Sequence, residues 1–160
     1  MRPADVEELD EGPPDEVAIE NAYRKAAAVA AGGTEAAVLG VDTIVTLGGR
    51  IYGKPPDRGQ ARETLTALAG HRHAVIGGLC LIEGGRARTL AASTLVSLRA
   101  LDADAIERYL DTREWVDRAG GYAIQGRGAL LVSAIEGDYL NVVGLPVSAL
   151  VELAPGLLHA

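Results

Sequence analysis

The run AAVLGVDTIV, residues 36 to 45, sets a single carboxylate, Asp42, in the middle of an apolar stretch rich in valine and isoleucine. An apolar run of this kind, closed by Gly48-Gly49 and followed by Arg50-Ile51-Tyr52, predicts a buried strand over Val38 to Leu47 that turns into a short hairpin partner. A buried strand requires a sheet around it and a second layer to cover it. Asp42 adds a further demand, because desolvating a carboxylate costs several kcal/mol unless it is paired, hydrogen-bonded or bound to metal. A catalytic cleft meets that demand. So does a strand at an edge or cleft mouth, where Asp42 would accept hydrogen bonds from the backbone or Thr43, and the pattern alone does not choose between them.

The remaining punctuation predicts what surrounds this strand. Residues 1 to 16 are acidic and proline-bearing and read as irregular. Asp15 is placed to cap a helix with Ile19, Ala22, Tyr23, Ala26 and Ala30 on one face, ended by Gly32-Gly33. Asp57, with Gln60 three residues on, has the capping-box spacing for a second helix carrying Ala61, Leu65 and Leu68 and stopped by Gly70. His73 to Ile82 and Arg88 to Leu98 flank Gly84-Gly85 and read as a long hairpin. Asp102 caps a third helix with Ile106, Tyr109 and Leu110, stapled by Leu101 against Ile106 and continued by a short turn at Trp115 and Val116. Strand-like residues then run to Ile135, and Pro146 suits the first turn of a last helix. With neither repeats nor a linker, 160 residues at 48% hydrophobic content predict one α/β domain: a central mixed, twisted sheet flanked by helices.

A formal charge of -7 repels long polyanions, so no nucleic-acid polymer is expected as a partner, although a small nucleotide needs only a local cluster of donors and cations. No apolar run approaches the ~18 to 20 residues that cross a bilayer, so no membrane association and a cytoplasmic location are expected. Cys80, the sole cysteine, lies in AVIGGLCLIE and reads as a buried thiol without a catalytic role. His71 and His73 are spaced to share one side of a strand, but a zinc site lacks a third ligand, since only His159 remains.

Other candidates are individually weak. Lys54, in the proline-stiffened loop YGKPP, is either a surface lysine or a fixed ammonium suited to gripping phosphate. Arg24 and Lys25 read as the solvated face of the first helix. Glu7, Glu8, Asp10 and Glu11 can offer hard oxygen ligands to Mg²⁺ or Mn²⁺, but a charge run is usually just solvated. GGYAIQGRG lacks the order and the strand-then-helix setting of a phosphate loop. Within it, Gln125 is either an ordinary turn residue or a side chain whose donor and acceptor can read the edge of a base.

Taken together, GVDTIV at 40 to 45, YGKP at 52 to 55, GYAIQGRGALLV at 121 to 132 and IEGDYLNVVGLP at 135 to 146 resemble the Maf family of nucleoside triphosphate pyrophosphatases. The likeness extends to the helix with Tyr23-Arg24-Lys25-Ala26 and to GHRHAV, nearly the whole chain. It implies an elongated α/β domain with a central cleft, in which nucleotides are cut between the α and β phosphates with a divalent cation, Mg²⁺ or Mn²⁺. It implies Asp42 as the base, Asp42 and Glu8 at the metal, and Lys25 and Lys54 on phosphates. Thr43 after the aspartate and Gln125 in IQG resemble the specificity positions of the subgroup that prefers dTTP and UTP. A homodimer is also implied. The family's opening apolar strand and Ser-x-Ser-Pro-Arg-Arg-like loop have no counterpart in MRPADVEE, so the sequence reads as N-terminally truncated, with an arginine clamp and bidentate phosphate contacts missing. A second reading follows from that difference: a catalytically impaired nucleotide-binding or regulatory protein linked to septum formation.

Overall fold

A computed structural model describes residues 6–159. Helix α1 spans Pro14–Ala30, and strand β1, Val38–Leu47, leads through Gly48-Gly49 into β2, Arg50–Tyr52. Helix α2 (Arg58–Leu68) follows, then the long strands β3 (Arg72–Glu83) and β4 (Arg86–Leu98), helix α3 (Ala103–Asp111), strand β5 (Val132–Glu136), and the short helices α4 (Tyr139–Val143) and α5 (Val147–Leu153). No helix among the described residues is long and apolar enough to cross a membrane.

The strands form one five-stranded sheet in the order β2-β1-β3-β4-β5. The α/β class and the flanking helices are as expected, but the expected mixed sheet is antiparallel in every pairing. The turns explain this. Gly48-Gly49 and Gly84-Gly85 all have positive φ, which makes both connections tight two-residue hairpins that reverse the chain. Helices α2 and α3 then deliver β3 and β5 to neighbours running the opposite way, so no parallel crossover is made.

The local helix signals mostly hold. Asp57 accepts from the Gln60 N–H at 2.9 Å and Asp102 from the Ala105 N–H at 2.7 Å, while Leu101 packs on the cluster that holds Ile106. Pro146 sits at the N-cap of α5. For α1 the expectation is corrected: it begins at Pro14 with Pro13 as N-cap, and Asp15 lies inside the first turn. The fixed φ of proline suits a helix start, and Asp15 there favours the helix dipole instead of capping it.

The buried face of α1 also differs from the expected one, since Tyr23 is 42% exposed while Val17, Ala18, Asn21, Ala22 and Ala26 are buried. Contact with the sheet selects this face. A Cβ on Gly40 would lie 2.0 Å from the Ala22 carbonyl oxygen, and one on Gly78 would lie 2.1 Å from that of Ala18. The helix therefore rests its backbone on β1 and β3, at a distance that glycine beneath it permits. Gly78 is the register partner of Asp42 and Gly40 is two residues before it, so the carboxylate sits on the face that α1 covers.

The opposite face of the sheet carries the large apolar core: Val45, Leu65, Leu68, Val75, Val96 and Leu110, with α2 and α3 packed over it. Helix α5 closes the far end against Leu79 and Leu81. Cys80 is fully buried beside Ala22 and Ala26, as expected, and burial raises its thiol pKa.

Candidate active site

A cleft of about 950 Å³ runs beside β1, and Glu8, Lys25, Asp42, Thr43, Lys54 and Gln125 all line it. Its position follows from the sheet. Strand β1 pairs with β3 over Val38–Thr46 but with β2 only from Val45 to Leu47, so among the described residues the first part of β1 has one backbone edge without a strand partner. The side chain alternation of β1 then sends Asp42 towards α1 and Thr43 towards the other face, where Gly144 lies close by.

Asp42 is only 7% exposed, and its burial is offset by two contacts. One carboxylate oxygen accepts from Asn21 Nδ2 at 3.1 Å and the other from Lys25 Nζ at 2.5 Å. The same Lys25 ammonium lies 2.7 Å from Glu8 Oε1. Burial by itself would lower the Lys25 pKa, but its hydrogen bonds to Asp42 and Glu8 outweigh that and raise it, which keeps the side chain a fixed cation. Lys25 is thus turned inward, contrary to a solvated reading of both basic residues. Arg24, one helical step round, stays on the surface with Glu20 at 2.9 Å and the Glu7 carbonyl at 3.0 Å.

Sequence reasoning missed Asn21, which organises this corner. Its Oδ1 accepts from the Leu9 N–H at 2.7 Å, and its Nδ2 donates to the Leu9 carbonyl at 3.0 Å as well as to Asp42. The irregular acidic segment is therefore pinned to α1, and Glu8, one residue before Leu9, is delivered to Lys25. A usable signal existed: Asn21 lies four residues after Val17 and four before Lys25, a polar residue on the packed helix face.

Lys54, Thr43 and Gln125 share the cleft without touching this cluster. Lys54 is exposed and has no ion pair among the described residues. Gln125 is exposed at the start of a 3-10 turn, Gly126–Leu130. That turn is held from behind by Glu114, whose carboxylate accepts from the backbone N–H of Arg127 and of Gly128, each at 3.0 Å. Tyr122 also lines the cleft and is backed by buried His73, whose Nε2 lies 2.8 Å from the Tyr122 hydroxyl. Burial lowers the His73 pKa to about 4 and raises that of Tyr122.

The donor set fits a small hard cation. The Glu8 and Asp42 carboxylates converge on one cationic position, now taken by the Lys25 ammonium. No group of three His, Cys, Asp or Glu occurs among the described residues. Mg²⁺ typically takes one or two carboxylates and completes its shell with phosphate oxygens and water, so two converging carboxylates in an open cleft suffice.

The arrangement is a carboxylate opening onto a cleft that Lys54, unpaired among the described residues, also lines. A sequence model of the family described as "Maf-like protein" matches residues 1–156. The chain belongs to this family. A dTTP/UTP pyrophosphatase of Pyrococcus furiosus is 46% identical over 155 residues, which cover 96% of this chain and 82% of that protein. One of Moorella thermoacetica is 49% identical over 134 residues, covering 82% and 69%. One of Bacillus cytotoxicus is 44% identical over 139 residues, covering 87% and 73%.

Proposed function

We propose that the protein is a nucleoside triphosphate pyrophosphatase, a hydrolase that cuts dTTP and UTP between the α and β phosphates to the monophosphate and pyrophosphate. The observation that carries this reading is Asp42, buried yet opening onto the cleft, with its two oxygens held by Asn21 and Lys25. The names of the relatives support the choice of substrate.

In this reading Asp42 is the base that orients and deprotonates water for in-line attack on the α phosphorus, an aid worth typically ~10² to 10⁴ in rate. Lys25, which would give up its place between Glu8 and Asp42 to a metal, neutralises charge on the phosphate oxygens as the bond to the leaving pyrophosphate breaks. Lys54 grips the chain of phosphates from the other lip of the cleft. Glu8 and Asp42 would hold a divalent metal, which when bound polarises a phosphate oxygen. The Gln125 amide offers an acceptor for the N3–H and a donor for the O4 that thymine and uracil share, and Thr43 lines the same cavity. A homodimer in the cytoplasm completes the proposal, and light scattering would read the dimer as a doubled mass.

The test is pyrophosphate release from dTTP, UTP, dCTP and GTP with Mg²⁺ or Mn²⁺. Turnover of dTTP and UTP above the other two is expected, together with its loss in Asp42→Asn. No release from dTTP or UTP under any metal would sink the reading.

A further inference from the structure

Of the cations that line the cleft, Lys25 is committed to two carboxylates, whereas Lys54 and Arg118 form no ion pair among the described residues. A free cation can take an anion without first breaking a pair, which sets these two apart from Lys25 as the groups that meet an incoming polyanion first.

Arg118 is held in place by its backbone. Its N–H donates to the Trp115 carbonyl at 3.2 Å, and its carbonyl accepts from the Gly121 N–H at 3.0 Å. The residue before it, Asp117, adopts a left-handed φ of 57°, a conformation that costs a non-glycine residue on the order of 1 kcal/mol and sets the direction of the chain at the cleft. Beyond it, Gly120 (φ 70°) is buried so close to β1 that a Cβ would lie 2.9 Å from a Val45 methyl. The Gly120 N–H donates to the Gly53 carbonyl at 3.1 Å, and Gly53 immediately precedes Lys54. The two turns that carry the unpaired cations are therefore tied to each other and wedged against the sheet.

We propose that Arg118 is a substrate-binding residue, which with Lys54 clamps the β and γ phosphates of the nucleotide and the pyrophosphate that leaves. The guanidinium supplies the bidentate geometry that phosphate oxygens accept and that an ammonium cannot match. The proposal rests on the phosphate-cleaving reading above and extends it to the leaving-group end of the substrate.

Calorimetric titration of the full chain with inorganic pyrophosphate and, separately, with dTMP, both with Mg²⁺, tests it. Arg118→Ala is expected to weaken pyrophosphate binding by roughly tenfold to a hundredfold while dTMP binding stays within about twofold. Arg118→Lys should recover only part of the loss. Arg108→Ala, an exposed arginine of α3 away from the cleft, should bind both ligands like the parent protein. Unchanged pyrophosphate affinity in Arg118→Ala overturns the proposal, as does an equal loss for dTMP or a parent protein that binds no pyrophosphate. Pyrophosphate binding that depends on Arg118 in a protein that releases none from dTTP or UTP would instead refute the catalytic reading and leave the clamp standing.

Discussion

The two faces of the sheet are built on opposite terms. Towards α2 and α3 the strands present large aliphatic side chains, and Leu65, Leu68, Val96 and Leu110 are wholly buried. Towards α1 they present Gly40 and Gly78 to Ala18, Ala22 and Ala26, with polar Asn21 and Asp42 buried among them. The apolar clusters on that face, around Val17 and Ile44 and around Val38 and Cys80, are smaller than the one beneath α2 and α3, so stability comes mainly from the first. What the thin face supplies is position: backbone set on backbone leaves α1 no room to slide, and Asn21 and Lys25 meet Asp42 at hydrogen-bond distance. One face holds the protein together and the other aims its chemistry.

That division can be broken in graded steps. Asp42→Asn should cost the most, about 3 to 5 kcal/mol of transition-state stabilisation, read as a 10² to 10⁴ drop in kcat for dTTP. Its melting temperature should fall less than that of Leu65→Ala. Leu65→Ala should show the reverse pattern: about 2 to 5 kcal/mol lost in urea denaturation, with kcat of the folded protein unchanged. An equal loss of activity per folded molecule would show that the two faces are not independent.

The third step uses pH. His73 is neutral and buried with a pKa of about 4, against about 6.5 in an unfolded chain, so between those values the unfolded state binds the extra proton. Its stabilisation is complete above pH 6.5 and is lost as pH falls towards 4, by roughly 3 kcal/mol, and His73→Gln should flatten that part of a denaturation series. Gly78→Ala comes next, at about 1 to 3 kcal/mol of overpacking, and it should lose activity as well because the displaced helix carries Lys25. Asp57→Ala is the smallest, about 1 kcal/mol from the lost cap of α2 and no change in kcat, checked by thermal melts.

Much of this was legible along the chain. The Gly-Gly pairs at 48 to 49 and 84 to 85 announced both hairpins, Asp57 and Asp102 announced the starts of α2 and α3, and the apolar run around Asp42 announced β1, because each signal acts within a few residues. Asp15 misled for the same reason: a good cap residue lost to the adjacent Pro13-Pro14, whose fixed φ begins the helix earlier. The sheet is antiparallel where a mixed one is expected for a different reason, since strand direction between non-consecutive neighbours is not a local property.

The sequence by itself therefore determined the elements, the carboxylate that needed a partner and, through the shared blocks, the family. Only the tertiary structure decided who that partner is. Asn21 and Lys25 lie 21 and 17 residues from Asp42 and reach it because glycine-to-alanine contact sets the height and rotation of α1 on the sheet, while Glu8 meets the Lys25 ammonium. Arg118 and Glu114 acquire their places in the same way, from turns wedged against distant strands and loops. Backbone propensities are set within a helical turn or a hairpin, whereas a contact between distant residues depends on how whole elements pack, and no short window of sequence contains that geometry.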